Sequence, residues 1–150
     1  MDRAQVRRIL PHGPPMVLVD EVEWLDPGQA LRAVRTIDAA EPCFAGLPPG
    51  RHAYPVSLML ESFGQAAALL WYSRVGTLAG PDQVLMFAAG RDCRFDGPAY
   101  PDEVLRHHVR LDQVVADTAF ASGEIYAGER RVATIGSLIA VVRPVAVLGD

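Results

Sequence analysis

Residues 44–75, FAGLPPGRHAYPVSLMLESFGQAAALLWYSRV, constrain the fold more than any other stretch of the chain. A loop rich in proline and glycine leads to about twenty residues of helix-competent sequence that open at Pro55, a residue suited to a first helical turn. The helical part has almost no polar face, which is typical of a helix that is buried on all sides or spans a membrane. Its uninterrupted apolar run is well short of the roughly 18 residues that a membrane span needs. We therefore predict one buried central helix over residues 56 to about 75.

Two polar residues, Glu61 and Gln65, lie inside this helix, four positions apart and therefore on one face. A carboxylate in apolar surroundings costs several kcal/mol unless it is paired or used. Glu61 is therefore the first candidate for a catalytic residue, and the alternative is a carboxylate paired with an arginine of a partner chain. For Gln65 the sequence favours structural hydrogen bonding.

The composition is that of a single globular domain over residues 1–150. The formal net charge of −4 gives no reason to expect nucleic-acid binding. Cys43 and Cys93 lack metal-ligand neighbours and are typical of buried thiols in a reducing compartment. The first residues lack the apolar stretch of a signal peptide, so we expect a cytoplasmic protein without a membrane partner. No histidine pair has metal-ligand spacing with a third ligand, and we expect neither a metal nor a cofactor.

The rest of the chain has the composition and alternation of β-strands, apart from a short N-terminal helix predicted over residues 2–10. One apolar helix among about six or seven antiparallel strands is accommodated when the sheet curls around the helix and buries it. We therefore predict an α+β fold, and its exposed edge strands favour a dimer that joins edge to edge. The predicted strands are residues 16–25, 29–37, 84–89, 91–95, 103–115, 118–126 and 131–142.

Four segments in this order resemble the hot-dog-fold 3-hydroxyacyl-acyl-carrier-protein dehydratases of bacterial fatty-acid synthesis. They are residues 9–20 (ILPHGPPMVLVD), 55–65 (PVSLMLESFGQ), 91–102 (RDCRFDGPAYPD) and 121–126 (ASGEIY). The first is similar to the family's opening leucine-proline-histidine motif, and the second to its helix motif with glutamate and glutamine. The resemblance covers essentially the whole chain and implies a curved antiparallel sheet wrapped around one long central helix.

The resemblance also implies a pair of catalytic groups, one of which is absent from this chain. In the family a loop histidine before the helix removes the α-proton, and the helix glutamate, here Glu61, handles the leaving hydroxyl. The family's phenylalanine-x-glycine-histidine-phenylalanine-proline-glycine pattern aligns without a gap on residues 44–50, where Leu47 takes the histidine position. Leucine can neither accept nor donate a proton. Val56 replaces the family's glycine at the helix start, which removes the close backbone approach that glycine allows.

The other histidines offer one replacement for the missing base. His52 lies in the same loop, five residues after Leu47, and is the only nearby candidate. His12 belongs to the opening motif and is interpreted as structural. His107 and His108 point to opposite faces of a strand, so at most one of them is buried. The residues predicted to bind substrate are Gly46, Leu47, Val56, Ser57, Gln65 and Phe95.

Four functions remain open at this point. Because the family's active site lies across a dimer interface, the leading hypothesis is a dehydratase subunit of fatty-acid or polyketide synthesis. It contributes Glu61 to a composite site with a histidine-bearing homologous subunit, and its substrate is an acyl-phosphopantetheine on acyl carrier protein. The homodimer alone is then expected to be inactive or nearly so. The alternatives are a non-catalytic subunit that binds acyl chains or carrier protein, and a self-sufficient dehydratase or isomerase using His52. A hot-dog thioesterase ranks last.

Overall fold

The computed structural model describes residues 1–148 and contains two α-helices and six strands within that range. Two single-turn 3₁₀ helices, Pro42–Phe44 and Val145–Leu148, complete the described elements. The α-helices are α1 (Arg3–Ile9) and α2 (Val56–Val75), and the strands are β1 (Glu21–Asp26), β2 (Ala30–Thr36), β3 (Gln83–Phe95), β4 (Val104–Val115), β5 (Thr118–Ala127) and β6 (Arg130–Pro144).

The six strands form one antiparallel sheet in the order β1-β2-β4-β5-β6-β3. The sheet curves around α2, which packs against β2, β4, β5 and β6. Strands β4, β5 and β6 form the predicted meander, while β1 and β3 lie at the two edges. The predicted α+β hot-dog fold is confirmed.

Helix α2 runs over the predicted residues. It follows Pro55 and ends at Gly76, whose φ of 77° is left-handed and whose N–H donates to the Tyr72 carbonyl. Glycine adopts this conformation without steric cost, which explains the end of the helix at this position. Every residue from 62 to 71 is buried, so the apolar run fills the centre of the domain as its composition requires.

The strand predicted over residues 16–25 is too long at its start, because β1 begins at Glu21. The preceding residues 16–20 have no regular secondary structure, and two of their backbone groups bond to a side chain of the helix. The N–H of Leu18 donates to Oε1 of Gln65, and the carbonyl of Met16 accepts from Nε2 of the same side chain. Asp20 contacts the sheet through a backbone bond from its N–H to the Val34 carbonyl, at 2.8 Å.

The two short strands predicted over residues 84–89 and 91–95 are one continuous edge strand, β3. The expected break does not occur because Gly90 pairs with Leu138 of β6. The irregularity lies slightly earlier, as a shift of register between Phe87 and Ala89. A further correction concerns Cys43 and Cys93, which are free thiols but half-buried, not buried as predicted.

Candidate active site

Glu61 lies in the first half of α2, at the border between the buried core and solvent. Its side chain is 24% exposed, whereas Ser62, the next residue, is fully buried. Two nitrogen atoms reach the same carboxylate oxygen, Oε1: Nε2 of Gln65 at 2.9 Å and Nε2 of His12 at 3.2 Å. Among residues 1–148, no hydrogen-bond donor reaches Oε2. One oxygen of the carboxylate is therefore held by the protein, and the other has no donor from residues 1–148.

Gln65 is fully buried and its side-chain amide is occupied within the chain. Its Nε2 donates to Glu61 and, at 2.7 Å, to the Met16 carbonyl, while its Oε1 accepts from the Leu18 N–H at 2.7 Å. The predicted four-residue spacing thus brings Gln65 and Glu61 together on one helix face. The hydrogen bonds also attach the segment after His12 to the helix, which is the structural role the sequence favoured for Gln65.

The surroundings of Glu61 favour its charged form. The hydrogen bond from His12 is the largest influence and lowers the pKa of the Glu61 carboxyl below its usual value. Partial burial acts in the opposite direction, and the hydrogen bond from Gln65 lowers the pKa further. Glu61 is therefore a carboxylate at neutral pH, held by two N–H donors.

A groove of about 270 Å³ opens beside Glu61, between the first half of α2 and the edge strand β3. Its wall is mostly apolar, which suits an acyl chain more than a charged ligand. On this side of the helix, the Phe87 ring packs directly against Gly64: a Cβ at Gly64 would lie only 2.4 Å from the ring. The lining residues are Ser57, Leu60, Glu61, Phe87, Ala88, Ala89, Gly90 and Leu138.

The loop before α2 does not bring a base to Glu61 within this chain. Gly46 has a left-handed φ of 73° and is followed by Leu47, whose apolar side chain is 46% exposed. His52 bonds inside its own loop, with Nε2 at 2.7 Å from the Pro48 carbonyl, and makes no hydrogen bond to Glu61. Neither Leu47 nor His52 therefore acts as a base on the same side of the site as Glu61 within one subunit: Leu47 has no titratable group, and His52 makes no hydrogen bond to Glu61.

The predicted substrate-binding residues separate into two groups. Ser57 lines the groove with Glu61, and Gln65 contacts Glu61 from the interior. Val56, in the first turn of α2, is 50% exposed, and Phe95, at the end of β3, packs against the edge of the core. Contact with substrate stays a prediction for all six residues, and Val56, Phe95, Gly46 and Leu47 do not line the groove.

Two histidines contact α2, and the sequence did not predict either contact. His12, interpreted as structural, lies against Glu61. His107 is fully buried, with Nε2 at 2.7 Å from Oγ of Ser62. Burial lowers the pKa of His107 to about 4, so its ring is neutral at pH 7. His108 lies on the opposite face, half-buried, with its ring 5.1 Å from that of Tyr126, which confirms that at most one of the pair is buried.

Residues 1–148 contain neither a candidate metal site nor a helix that could cross a membrane. No group of three or more His, Cys, Asp or Glu side chains in this range is placed to hold a metal ion. Neither described α-helix combines the length and hydropathy needed to cross a membrane.

The chain resembles known proteins at the level of sequence. The FabA-like domain family matches residues 10–136. The 3-hydroxyacyl-acyl-carrier-protein dehydratase FabZ of Paracidovorax citrulli (strain AAC00-1) is 38% identical over 114 residues, 76% of this chain and 78% of that protein. The FabZ of Polaromonas sp. (strain JS666 / ATCC BAA-500) is 33% identical over 146 residues, 97% of this chain and 100% of that protein.

Solved structures agree on the fold. The dehydratase heterocomplex ApeI:P from Xenorhabdus doucetiae contains a chain that matches with a TM-score of 0.76 and 21% identity, over 97% of both chains. The fluoroacetyl-CoA thioesterase FlK matches with a TM-score of 0.60 and 12% identity, over 84% of this chain and 93% of that one. Because proteins of different activity share this architecture, these two matches concern the fold alone.

Proposed function

Because the chain belongs to the FabA-like family, we propose that it is a subunit of a dehydratase acting on 3-hydroxyacyl groups carried by acyl carrier protein. The reaction breaks the C2–H and C3–O bonds of the thioester, forms a C2–C3 double bond and releases water. It needs a base for the C2 proton and an acid for the leaving hydroxyl. The FabZ relatives bear this activity in their names, and the groove offers an apolar wall for the acyl chain.

Glu61 is the acid in this proposal. The observation that carries the assignment is its asymmetric setting, since Oε1 is held by His12 and Gln65 while Oε2 has no donor from the described residues. Glu61 also lines the groove. The free subunit holds Glu61 ionised, but a partner and a substrate that cover the groove remove it from water, which favours the protonated carboxyl. In that state its free oxygen is able to deliver a proton to a hydroxyl bound in the groove.

The base comes from a second subunit, because this chain has Leu47 at the family's histidine position. Part of the groove wall is β3, an edge strand whose outer side is unpaired in the sheet. A homologous subunit pairing with β3 covers the groove and brings its own loop histidine towards Glu61. The exposed side chains of Leu47 and Val56 favour such a covering partner, since large apolar groups gain free energy when they leave water.

The partner is therefore a histidine-bearing hot-dog homologue, in fatty-acid or polyketide synthesis. ApeI:P, which shares the fold, is described as a dehydratase heterocomplex, so assembly from two different chains has a precedent in this architecture. A homodimer of this chain has two carboxylates and no base at the family position, and we expect negligible dehydration from it. The cytoplasmic location expected from the sequence stays a prediction.

The test mixes this chain with its histidine-bearing partner, whose own helix glutamate has been replaced by glutamine so that partner homodimers are inactive. Turnover of a 3-hydroxyacyl thioester on carrier protein is then measured with wild-type chain and with Glu61→Gln. The substitution keeps the shape of the side chain but removes its titratable proton, and we expect a loss of at least roughly a hundredfold. Glu129→Gln, at an exposed turn position, is the matched control and retains full turnover.

The same assay distinguishes the alternatives. Equal turnover by the wild-type chain and by the Glu61→Gln variant refutes the catalytic assignment and leaves a non-catalytic subunit that binds acyl chains or carrier protein. Turnover by the homodimer that His52→Ala abolishes supports the self-sufficient dehydratase or isomerase instead.

A further inference from the structure

The segment that carries His12 is fastened to α2 next to the reacting carboxylate. Met16 and Leu18 are bonded by the amide of Gln65, which lies one helical turn after Glu61. A turn closed by the bond from the Met16 N–H to the Gly13 carbonyl, at 2.9 Å, connects this anchor to His12. The position of the imidazole is thus fixed by the same buried side chain that touches Glu61.

The direction of the hydrogen bond between His12 and Glu61 follows from the state of the carboxylate. An ionised carboxylate only accepts hydrogen bonds, so Nε2 of His12 carries the hydrogen. Nδ1 of His12 is buried and has no hydrogen-bond partner among residues 1–148. The ring is therefore oriented with its one engaged nitrogen towards Oε1 of Glu61.

His12 is the one titratable side chain of the described residues in contact with Glu61. From α2, the polar neighbours are Gln65, which is uncharged, and Ser57 in the groove. From β3 and β6, the groove wall presents Phe87, Ala88, Ala89, Gly90 and Leu138, none of which ionises. The hydrogen bonds from His12 and Gln65 therefore favour the charged form of Glu61.

We propose that His12 is a positioning residue of the dehydratase site: it donates its Nε2–H to Oε1 of Glu61, so that Oε2 alone exchanges a proton with the substrate. When Glu61 gives the proton on Oε2 to the leaving hydroxyl, water departs and the carboxylate that remains is stabilised at Oε1 by the two N–H donors. The proton taken from C2 by the partner's base restores the acid through solvent. This inference rests on the proposed function of Glu61 but assigns a separate role to a residue that does not touch substrate.

The first experiment needs no catalytic activity. The purified protein, labelled with ¹³C at glutamate carboxyl carbons, is titrated by NMR, and the Glu61 signal is identified by its loss in Glu61→Gln. We expect the Glu61 midpoint to move to higher pH in His12→Ala and to return at least part of the way in His12→Gln, whose amide restores an N–H donor. His108→Ala is the matched control and leaves the midpoint unchanged. Identical midpoints in wild type and His12→Ala overturn the proposal, and so does a shift that His12→Gln does not reduce.

The second experiment uses the mixed complex described above. His12→Ala should lower kcat by roughly tenfold on the plateau of the pH profile where Glu61 carries its proton, the effect of losing a hydrogen bond to a charged group. KM should be nearly unchanged, and the limb at which Glu61 loses its proton should move towards higher pH. In the Glu61→Gln background the same substitution should have no further effect, because His12 acts through Glu61. Additive losses overturn the role of His12.

A Glu61→Gln complex with full turnover instead refutes the proposed function, while the NMR titration still decides whether His12 controls Glu61. Folding of each variant is checked by thermal unfolding, and His12→Gln serves where His12→Ala unfolds.

Discussion

Two histidines contact consecutive residues of α2, but one pair is partly exposed to solvent and the other is fully buried. His12 reaches Glu61 at the border of the core, where both side chains are about a quarter exposed. His107 reaches Ser62 in the interior, where neither residue has any exposed surface. One pair includes a carboxylate on a groove, and the other is enclosed between the helix and β4.

The difference shows how burial decides what a polar pair can do. The hydroxyl of Ser62 lies within hydrogen-bond distance of both the Met59 carbonyl and Nε2 of His107, and the tautomer of His107 decides to which of the two it donates. This pair joins two fully buried polar side chains, and solvent does not reach it. The pair of His12 and Glu61 satisfies one oxygen and leaves the other open, which is the arrangement that proton transfer requires.

The largest expected effect concerns turnover and contrasts the two helix residues directly. In the mixed complex, Glu61→Gln should reduce kcat by roughly a hundredfold or more, whereas Ser62→Ala should change it by no more than about threefold. Both are measured by steady-state dehydration at pH 7. Equal losses would show that the buried pair also supports the reaction, and the contrast between the two pairs would then be wrong.

A second prediction uses pH to separate the pairs. Burial lowers the pKa of His107 from 6.5 to about 4 in the folded protein, so between these values the unfolded chain binds the proton that the folded protein excludes. The free energy of unfolding should therefore be retained above pH 6.5 and fall by up to roughly 3 kcal/mol as the pH drops towards 4. Urea unfolding across this range measures the fall. His107→Gln should remove most of this slope, whatever its effect on stability at pH 7, and an unchanged slope would contradict the assignment.

A third, smaller effect is expected on stability: Ser62→Ala should lower the free energy of unfolding. It removes the hydrogen-bond partner of the buried Nε2 of His107, and the cost of such an unpaired group is about 1–3 kcal/mol. The free energy of unfolding at pH 7 reports the loss. Ser57→Ala, an exposed change on the same helix, should stay within about 0.5 kcal/mol. Similar values for the two serines would mean that the bond to His107 contributes nothing.

The smallest expected effect comes from a histidine that belongs to neither pair. His52 bonds to the Pro48 carbonyl in its own loop, so His52→Ala should change turnover of the mixed complex by less than about twofold. The homodimer should be inactive with or without this substitution. A large loss of turnover in the mixed complex would show that His52 also supports the reaction. The division between the His12–Glu61 pair and the His107–Ser62 pair would then be incomplete.

The sequence predicts the central helix and its two polar residues because both follow from local patterns. The limits of α2 are given by Pro55, the apolar run and Gly76, and the contact between Glu61 and Gln65 follows from helical spacing. The three C-terminal strands follow in the same way from alternation and turn residues. These features depend on neighbours in the chain, which a sequence displays.

The contacts of His12 and His107 depend instead on the path of the chain in space. His12 lies 49 positions before Glu61, and His107 lies 45 positions after Ser62. No periodicity connects residues so far apart, and the segment before β1 bonds to a side chain of α2 at Met16 and Leu18 before it reaches the sheet at Asp20. The position of His12 in the opening motif was the one signal in the sequence, and it did not identify the residue's neighbour.

The bond between Leu18 and Gln65 has a consequence for the motions of the protein. A backbone amide in a sheet is usually shielded from deuterium by another backbone group, but the Leu18 amide is shielded by one side-chain carbonyl oxygen. Its exchange with heavy water requires the segment to detach from the helix, and the same event separates His12 from Glu61. The exchange rate of this single amide therefore measures how often the segment after His12 leaves the helix.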